Sequence, residues 1–294
     1  MSELLQHVVD ALSLGSIYAL LGLGIALVFG ILRLVNFAHG ELVMVGAYTA
    51  ILASGTSFIM IIPLMLVVPM VLAVVLERVA FRPLRGANEM TLLVGSFAVS
   101  YLLQNLALII FGANPRSMNL ATAFGESIEV GGLSVPKLSI VTIGVSAVLI
   151  ALLTAFLNFT RLGVQVRAAA EDFNMARILG VRANRVIASA FCLSGLLAGA
   201  AAFLLLGQTG TVYPGMGQVA ILGAFVATVI GGMDSLVGAV AGGLLLGFLT
   251  IGLEAYLPSS LKPYEQAFAY IVVIAVLIGR PGGLFVPKTS RTRV

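Results

Sequence analysis

The sequence has very few of the residues on which soluble enzymes and metal proteins depend. Only 10% of its 294 residues are charged, two are histidines, one is a cysteine and none is a tryptophan. The single Cys192 excludes a disulfide within the chain and argues against a thiolate metal centre, since such centres use several cysteines. No lysine follows a glycine, so the GxxxxGK[ST] loop that cradles nucleotide phosphates is absent. We therefore expect no catalytic residue, no metal and no bound cofactor in this chain.

Long apolar runs are what the sequence has instead. Apolar residues make up 60% of the chain, and its mean hydropathy is +1.12. Such values lie outside the range of soluble domains and indicate an integral membrane protein. The runs leave no room for a soluble domain of about 100 residues. The sequence thus predicts an all-α polytopic membrane protein, in which residues 1–294 form a single transmembrane domain. The net charge of +4 is spread over short loops, so nucleic acid is not an expected partner.

The apolar runs predict about nine transmembrane segments, with eight or ten as the alternatives. A helix needs about 20 residues to cross a hydrocarbon core of about 30 Å. The first span is expected to be retained, because no basic region or small-residue cleavage signal marks a signal peptide. The predicted spans are residues 11–32, 42–53, 58–76, 90–111, 138–159, 186–206, 219–230, 236–253 and 267–278.

Two of these segments, 42–53 and 219–230, are too short to cross alone. The first follows the polar run VNFAHGE and the second precedes GGMDS. Short, glycine-interrupted segments in corresponding halves are typical of transporters whose broken helices lie near a midplane pathway. The candidate pathway residues are Asn36, His39, Glu41 and Asp234.

These polar residues also allow other interpretations. His39 and Glu41 could form a proton relay, because ionisable groups at membrane depth are functional candidates. A turn at the membrane surface would instead leave both in water. Asp234 could line the pathway, or it could cap the following helix, which the helix dipole favours and which we expect.

The basic residues predict the orientation. Thirteen of the sixteen lysines and arginines fall on one side of the predicted spans, and only Arg116, Lys137 and Lys262 fall on the other. Basic residues concentrate in cytosolic loops, so the N-terminus is expected to be periplasmic and the C-terminus cytosolic. The loop at 77–89 and the segment at 161–185 then lie in the cytosol.

The segment at 161–185 is polar, yet it has a helical pattern of its own. Ala169, Phe173, Ala176 and Leu179 recur at spacings of three and four, which predicts a short helix with a narrow apolar stripe. Gly180 supplies its expected C-terminal cap. The segment is interpreted as a docking helix for a cytosolic partner, with a solvated loop as the alternative.

Several stretches together resemble one transporter family. They are VNFAHGE (35–41), ERVAFRPLR (77–85), AAAEDFNMARILGV (168–181), GGMDSLVGAVAGG (231–243) and GRPGGLF (279–285). In this order they are similar to the LivH-type permease subunit of bacterial branched-chain amino-acid ABC importers. The resemblance implies an inner-membrane complex with a second homologous permease, two cytosolic ATPases that bind ATP and magnesium, and a periplasmic solute-binding protein.

The resemblance also gives the cytosolic segment 161–185 a role. It implies that residues 171–180 are the coupling helix that docks on an ATPase, with these residues at the contact: Glu171, Asp172, Phe173, Ala176, Leu179 and Gly180. In maltose-type permeases Glu-Ala-Ala is followed by glycine six positions after the glutamate. Here Glu171 is followed by Asp172, and the glycine comes nine later. This departure fits a vitamin-B12-importer-like (type II) fold with broken helices.

The expected function is transport of a small polar solute, most simply a branched-chain or related amino acid. A urea or short-amide ABC permease is the alternative within the family. An ion-coupled secondary carrier that uses His39 and Glu41 is the alternative outside it. From a different class, an intramembrane enzyme or a non-transporting scaffold is a further alternative, and the small number of catalytic side chains weighs against the enzyme.

Overall fold

The computed structural model describes residues 2–118, 127–130, 133–280 and 282–285. The helices are α1 (Ser2–Leu32), α2 (Ala38–Leu52), α3 (Phe58–Leu76), α4 (Glu89–Phe111), α5 (Lys137–Phe159), α6 (Arg161–Glu171), α7 (Phe173–Ile178), α8 (Ala183–Thr209), α9 (Met216–Gly231), α10 (Leu236–Tyr256) and α11 (Glu265–Gly279). Short strands form two antiparallel pairs: β1 (Arg116–Ser117) with β4 (Thr211–Val212), and β2 (Ile128–Val130) with β3 (Leu133–Val135).

Within the described residues, seven helices are long and apolar enough to cross a membrane: α1, α3, α4, α5, α8, α10 and α11, the last taken with the 3-10 turn before it as Lys262–Gly279. Two shorter apolar helices, α2 and α9, have 15 and 16 residues. At 1.5 Å per residue they extend for only about 22–24 Å, less than a hydrocarbon core of about 30 Å. The chain is therefore a polytopic all-α membrane protein, as predicted, and the two segments predicted to be short are short.

Helix boundaries differ from the predicted ones at polar residues. Helix α2 begins at Ala38 rather than residue 42, and α9 begins at Met216 rather than residue 219. In both cases glycine and polar residues that suggested a loop lie in the first helical turn. Gly40, Glu41 and Gly217 are buried by tertiary packing, which overrides the weak local preference, and Gln218 continues the same turn with an exposed side chain.

The helices form two sets with the same order of lengths. Helices α1–α4 and α8–α11 are each long, short, long and long, when α11 is counted with the 3-10 turn Lys262–Tyr264 that leads into it. The two most extensive helix pairings are α1 with α10 and α8 with α3, so the first helix of each set packs on the third helix of the other. The short helices α2 and α9 pack on each other. This exchanged packing indicates an internal repeat of the kind found in transporters.

Glycines allow these long helices to approach closely. A Cβ atom on Gly243 of α10 would lie 2.4 Å from the Ala19 backbone nitrogen of α1. A Cβ atom on Gly199 of α8 would lie 2.3 Å from the Met65 carbonyl oxygen of α3. Small residues at helix contacts are the usual means of close packing in membranes. The glycine-rich pattern of α10 therefore serves packing.

The connecting segments gather at two ends of the molecule. At one end Arg33 forms an ion pair with Asp234, and Arg85 donates a hydrogen bond to Asn184. At the other end β1 pairs with β4, which joins the segment after α4 to the segment after α8. These two groups of segments are those that the charge pattern separates. The basic residues at 288, 291 and 293 lie outside the described residues, and which end faces the cytosol stays a prediction.

Candidate translocation pathway and coupling surface

The two short helices meet at their N-terminal turns. A Cβ atom on Gly40 of α2 would lie 2.3 Å from the Gly217 carbonyl oxygen, and one on Gly217 of α9 would lie 2.4 Å from the Gly40 oxygen. The backbones are thus in direct contact, with no side chain between them. The N-terminus of a helix carries a partial positive charge. Two such ends therefore meet inside the protein.

The helices run from this meeting point toward opposite ends of the molecule. Near the C-terminus of α2, the Tyr48 ring stacks on Phe111 at 4.0 Å, at the end that holds β1 and β4. At the C-terminus of α9, the Ile230 carbonyl accepts a hydrogen bond of 2.8 Å from Leu284, at the other end. The meeting point therefore lies between the two ends.

Glu41 is fully buried at this meeting point. Its Oε1 accepts a hydrogen bond of 2.9 Å from Ser100 Oγ on α4. Its Oε2 has no hydrogen-bond partner within the described residues and lies 3.0 Å from the position of a Cβ atom on Gly217. A buried carboxylate oxygen without a partner is costly. The positive end of α9 offsets part of this cost for Glu41.

His39 is also fully buried, but it contacts different helices. Its Nδ1 lies 2.9 Å from Ser194 Oγ on α8, and its ring fills the space beside Gly24 on α1. No hydrogen bond joins His39 to Glu41 in the part of the chain that the structure describes. The side chain of Asn36 is buried at the same turn, and its Oδ1 has no partner among the described residues.

One outer face, formed by α4 and α9, carries polar groups. A cavity of about 390 Å³ on this face is lined by Val94, Phe97, Ala98, Ser100, Tyr101 and Gln218. The large exposed side chains of α3 are all apolar, by contrast, as expected of a face toward lipid. An amide that faces hydrocarbon would lack partners. The exposed Gln218 therefore favours contact of this face with water or with another subunit.

Three aromatic rings from α4, α9 and the start of α2 meet beside this cavity. The Phe37 ring stacks on Phe97 at 4.0 Å and lies 5.7 Å from Phe225. Phe97 also lines a second cavity of about 580 Å³, which extends to Arg33. This aromatic cluster of Phe37, Phe97 and Phe225 therefore stands between two cavities on the same face.

Asp234 does not cap helix α10, contrary to the expectation from its position. Ser235 is the N-cap, and its Oγ accepts a hydrogen bond of 3.0 Å from the Gly238 N–H. Asp234 lies one residue before the N-cap position, and its carboxylate forms an ion pair with Arg33 instead. Arg33 has a φ of 53°, the only positive value at a non-glycine residue in the described part of the chain.

The segment 161–185 contains two helices rather than one. Asp172 has an extended backbone, and its Oδ1 accepts a hydrogen bond of 2.9 Å from the Met175 N–H, which caps the start of α7. The predicted continuous apolar stripe is therefore wrong. Ala169 and Ala176 are buried, and Phe173 packs partly against the core.

The exposed apolar residues of this segment differ from the predicted set. Met175, Ile178 and Leu179 are 52%, 78% and 77% exposed, and of the predicted stripe only Leu179 belongs to this group. Gly180 ends the helix as predicted: its φ is 88°, and Val181 N–H donates to the Ala176 carbonyl at 3.0 Å. Glu171 ends α6 with an exposed side chain.

The family model described as branched-chain amino acid transport system, permease component, matches residues 7–278. The chain belongs to this family. It is 35% identical to the high-affinity branched-chain amino acid transport system permease protein BraD of Pseudomonas aeruginosa, with 95% of each chain covered. It is 34% identical to the corresponding protein LivH of Escherichia coli, with 95% of this chain and 94% of LivH covered. No solved structure was found to match the chain.

A more distant relative also covers most of the chain. The probable branched-chain amino acid transport permease protein LivH of Methanocaldococcus jannaschii is 25% identical, with 93% of this chain and 90% of that protein covered. Members of this family are permease components of ABC importers and not enzymes, and they work with ATPase and binding-protein partners. The sequence resemblance is thus confirmed over nearly the whole chain.

Sequence reasoning missed the partners of the buried polar residues. Ser100 and Ser194 lie in apolar helices, where a single serine is common and gives little signal. The aromatic cluster was missed because its three members are far apart in the sequence. Within the described residues, no group of three or more His, Cys, Asp and Glu side chains could hold a metal ion.

Proposed function

We propose that this chain is the transmembrane permease subunit of an ATP-driven importer for branched-chain or related amino acids. The observation that carries the proposal is the likeness to BraD and LivH over 95% of the chain. Both relatives are permease proteins of branched-chain amino acid transport systems. A likeness of this extent supports the same class of solute.

The complex would contain a second homologous permease, two cytosolic ATPases and a periplasmic solute-binding protein. ATP and magnesium would bind in the ATPases, since this sequence has no GxxxxGK[ST] loop. The polar face of α4 and α9 would meet the second permease and form half of the pathway. Its cavity beside Gln218 has room for a small solute.

A mechanical link would join the ATPase to the pathway. Helix α7 leads into α8 through a turn of a few residues, and α8 carries Ser194. Ser194 bonds to His39 in the first turn of α2, which directly follows Phe37 of the aromatic cluster. Movement of α7 would thus shift the Phe37 ring and, with it, the aromatic cluster between the cavity beside Gln218 and the cavity that extends to Arg33. His39 serves in this proposal as a connection between helices, and not as a proton carrier.

The proposed function can be tested with the complete complex in proteoliposomes. Uptake of radiolabelled leucine should require ATP and the binding protein and should continue when a protonophore collapses the proton gradient. Unlabelled isoleucine and valine should compete, and urea and acetamide should not. Uptake that needs the proton gradient but not ATP would contradict the proposal. Competition by urea or acetamide alone would contradict the assigned solute.

The proposed orientation places the N-terminus in the periplasm and 161–185 in the cytosol of a bacterial inner membrane. A cysteine at Ser127 in a Cys192→Ser background should react with an impermeant maleimide in intact cells, whereas one at Asn174 should react only after permeabilisation. The expectation follows from the charge asymmetry of the loops. The opposite labelling pattern would reverse the orientation.

A further inference from the structure

A cleft of about 920 Å³ opens at the end of the molecule that carries α7. Its walls are the last residues of α1, residues 81–87, α7 and the first turns of α8. Four arginines line it, and no aspartate or glutamate does: Arg85, Arg177, Arg182 and Arg185. Like charges gathered in one cleft repel each other. The arginine cleft therefore favours an anionic occupant.

One of these arginines is held rigidly. Helix α3 ends in a π-helical turn, Glu77–Phe81, in which Arg82 N–H donates to the Glu77 carbonyl at 2.7 Å. The buried Glu77 carboxylate forms an ion pair with Arg85. Arg85 also donates a hydrogen bond of 2.5 Å to Asn184 Oδ1, at the start of α8. These contacts fix residues 81–87 against α8 and so preserve the cleft.

The other three arginines are available to a ligand. Arg177, Arg182 and Arg185 form no ion pair within the described residues. A guanidinium group binds carboxylates and phosphates through paired hydrogen bonds. The cleft thus presents three such groups around a mainly apolar floor.

The position of the cleft indicates its occupant. Phe173, Asn174 and Arg177 of α7 form one wall, and the exposed Ile178 and Leu179 follow directly on the same segment. A partner that covers this exposed apolar end would also cover the cleft. We propose that the arginine cleft receives an acidic segment of the same cytosolic ATPase that holds α7. This inference rests on the proposed function, and it adds a second, electrostatic contact to the apolar one.

The test compares two pairs of substitutions in the complete complex. Arg182→Gln with Arg185→Gln removes two charges from the cleft. Arg161→Gln with Arg167→Gln removes two exposed charges from the same cytosolic segment, outside the cleft. Retention of the ATPases on tagged permease is measured in zwitterionic nanodiscs from about 0.05 to 1 M NaCl, a range over which the Debye length falls to about 3 Å.

The cleft pair should weaken ATPase binding about three- to tenfold at low salt, as expected for two partly exposed charge pairs. Wild type and the cleft variant should converge at 1 M NaCl, and the control pair should behave like wild type. An equal loss of ATPase retention in the cleft pair and the control pair would show a general attraction between the basic segment and the ATPase, and it would overturn the proposal. An effect seen only when phosphatidylglycerol is added would assign the cleft to a lipid phosphate instead.

A third variant separates this proposal from the proposed function. Ile178→Asp removes the apolar contact and should abolish ATPase retention at every salt concentration. If Ile178→Asp abolishes retention and the cleft pair has no effect, the cleft proposal fails while the coupling role stands. If Ile178→Asp leaves retention intact, the coupling role itself fails.

Discussion

At the meeting point of α2 and α9, His39 and Glu41 are fully buried, whereas Ile178 and Leu179 at the end of α7 are 78% and 77% exposed. The first region places polar groups inside an apolar protein. Serines of other helices bond to one atom of each side chain, while Glu41 Oε2 and His39 Nε2 have no partner among the described residues. The second places apolar groups in what the charge pattern predicts to be water. Each arrangement is costly in isolation. The contrast indicates that the first region takes its packing contacts from helices of the same chain, and that the second requires a partner.

The largest expected effect is a loss of stability when a side chain is introduced at the contact between the short helices α2 and α9. Gly40→Val would place side-chain atoms against the Gly217 carbonyl, which cannot move without shifting helix α9. Overpacking commonly costs about 1–3 kcal/mol, and a backbone obstacle puts this variant at about 3 kcal/mol or more. The melting temperature of the purified complex and its amount in the membrane measure the loss.

Gly144→Val is the matched control, because a Cβ atom at this α5 position meets nothing within 4 Å. It should melt within a few degrees of wild type. Equal stability of the two variants would mean that the short helices do not touch as described.

The next effect concerns the exposed region. If this side chain is an apolar anchor in a groove, Ile178→Asp should weaken ATPase binding by about 2 kcal/mol or more, which is about thirtyfold or more and enough to abolish retention in a pull-down. Detergent pull-down of the ATPases and ATP-driven uptake measure it. The control is Val164→Asp on α6, where the side chain is 47% exposed. Normal uptake by the Ile178→Asp variant would contradict the docking role of segment 161–185 and support its interpretation as a solvated loop.

A smaller effect is expected at the aromatic cluster. Phe97→Ala removes the ring that stacks on Phe37, and an aromatic pair contributes about 0.5–1.5 kcal/mol beyond its burial. Leakage of leucine from loaded proteoliposomes without ATP should rise about two- to tenfold. Phe248→Ala on α10, also a half-exposed phenylalanine, should leave leakage unchanged. Unchanged leakage in the Phe97→Ala variant would contradict the hypothesis that the aromatic cluster lies in the translocation pathway.

The smallest effect should come from His39→Gln. The amide can still hydrogen-bond to Ser194 and does not titrate near neutral pH, so uptake should fall less than about threefold. The dependence of uptake on pH between 6 and 8 should match that of wild type. His39→Leu, which cannot bond to Ser194, should be the weaker transporter. Complete loss of uptake in a well-assembled His39→Gln complex would support the alternative in which His39 and Glu41 form a proton relay.

The sequence predicted whatever depends on local composition. Hydropathy located the spans and the two short segments, and Gly180 was predicted as a helix end because its positive φ suits glycine. The candidate site was predicted only in part. Burial of Ala176 depends on contacts with distant helices, which a helical period in one segment does not reveal. The pairing of Asp234 with Arg33 depends in the same way on packing between the two repeats.

The contact between Gly40 and Gly217 also constrains how the protein is made. Helix α2 is short and carries Glu41 near its start, so it is a poor candidate for stable insertion into lipid alone. Its structural partner is synthesised about 180 residues later, which at about 5–20 residues per second takes about 10–35 s. During that interval the first four helices have no second repeat on which to pack. We expect nascent chains stopped before α9 to be recognised as unfinished and degraded by membrane proteases.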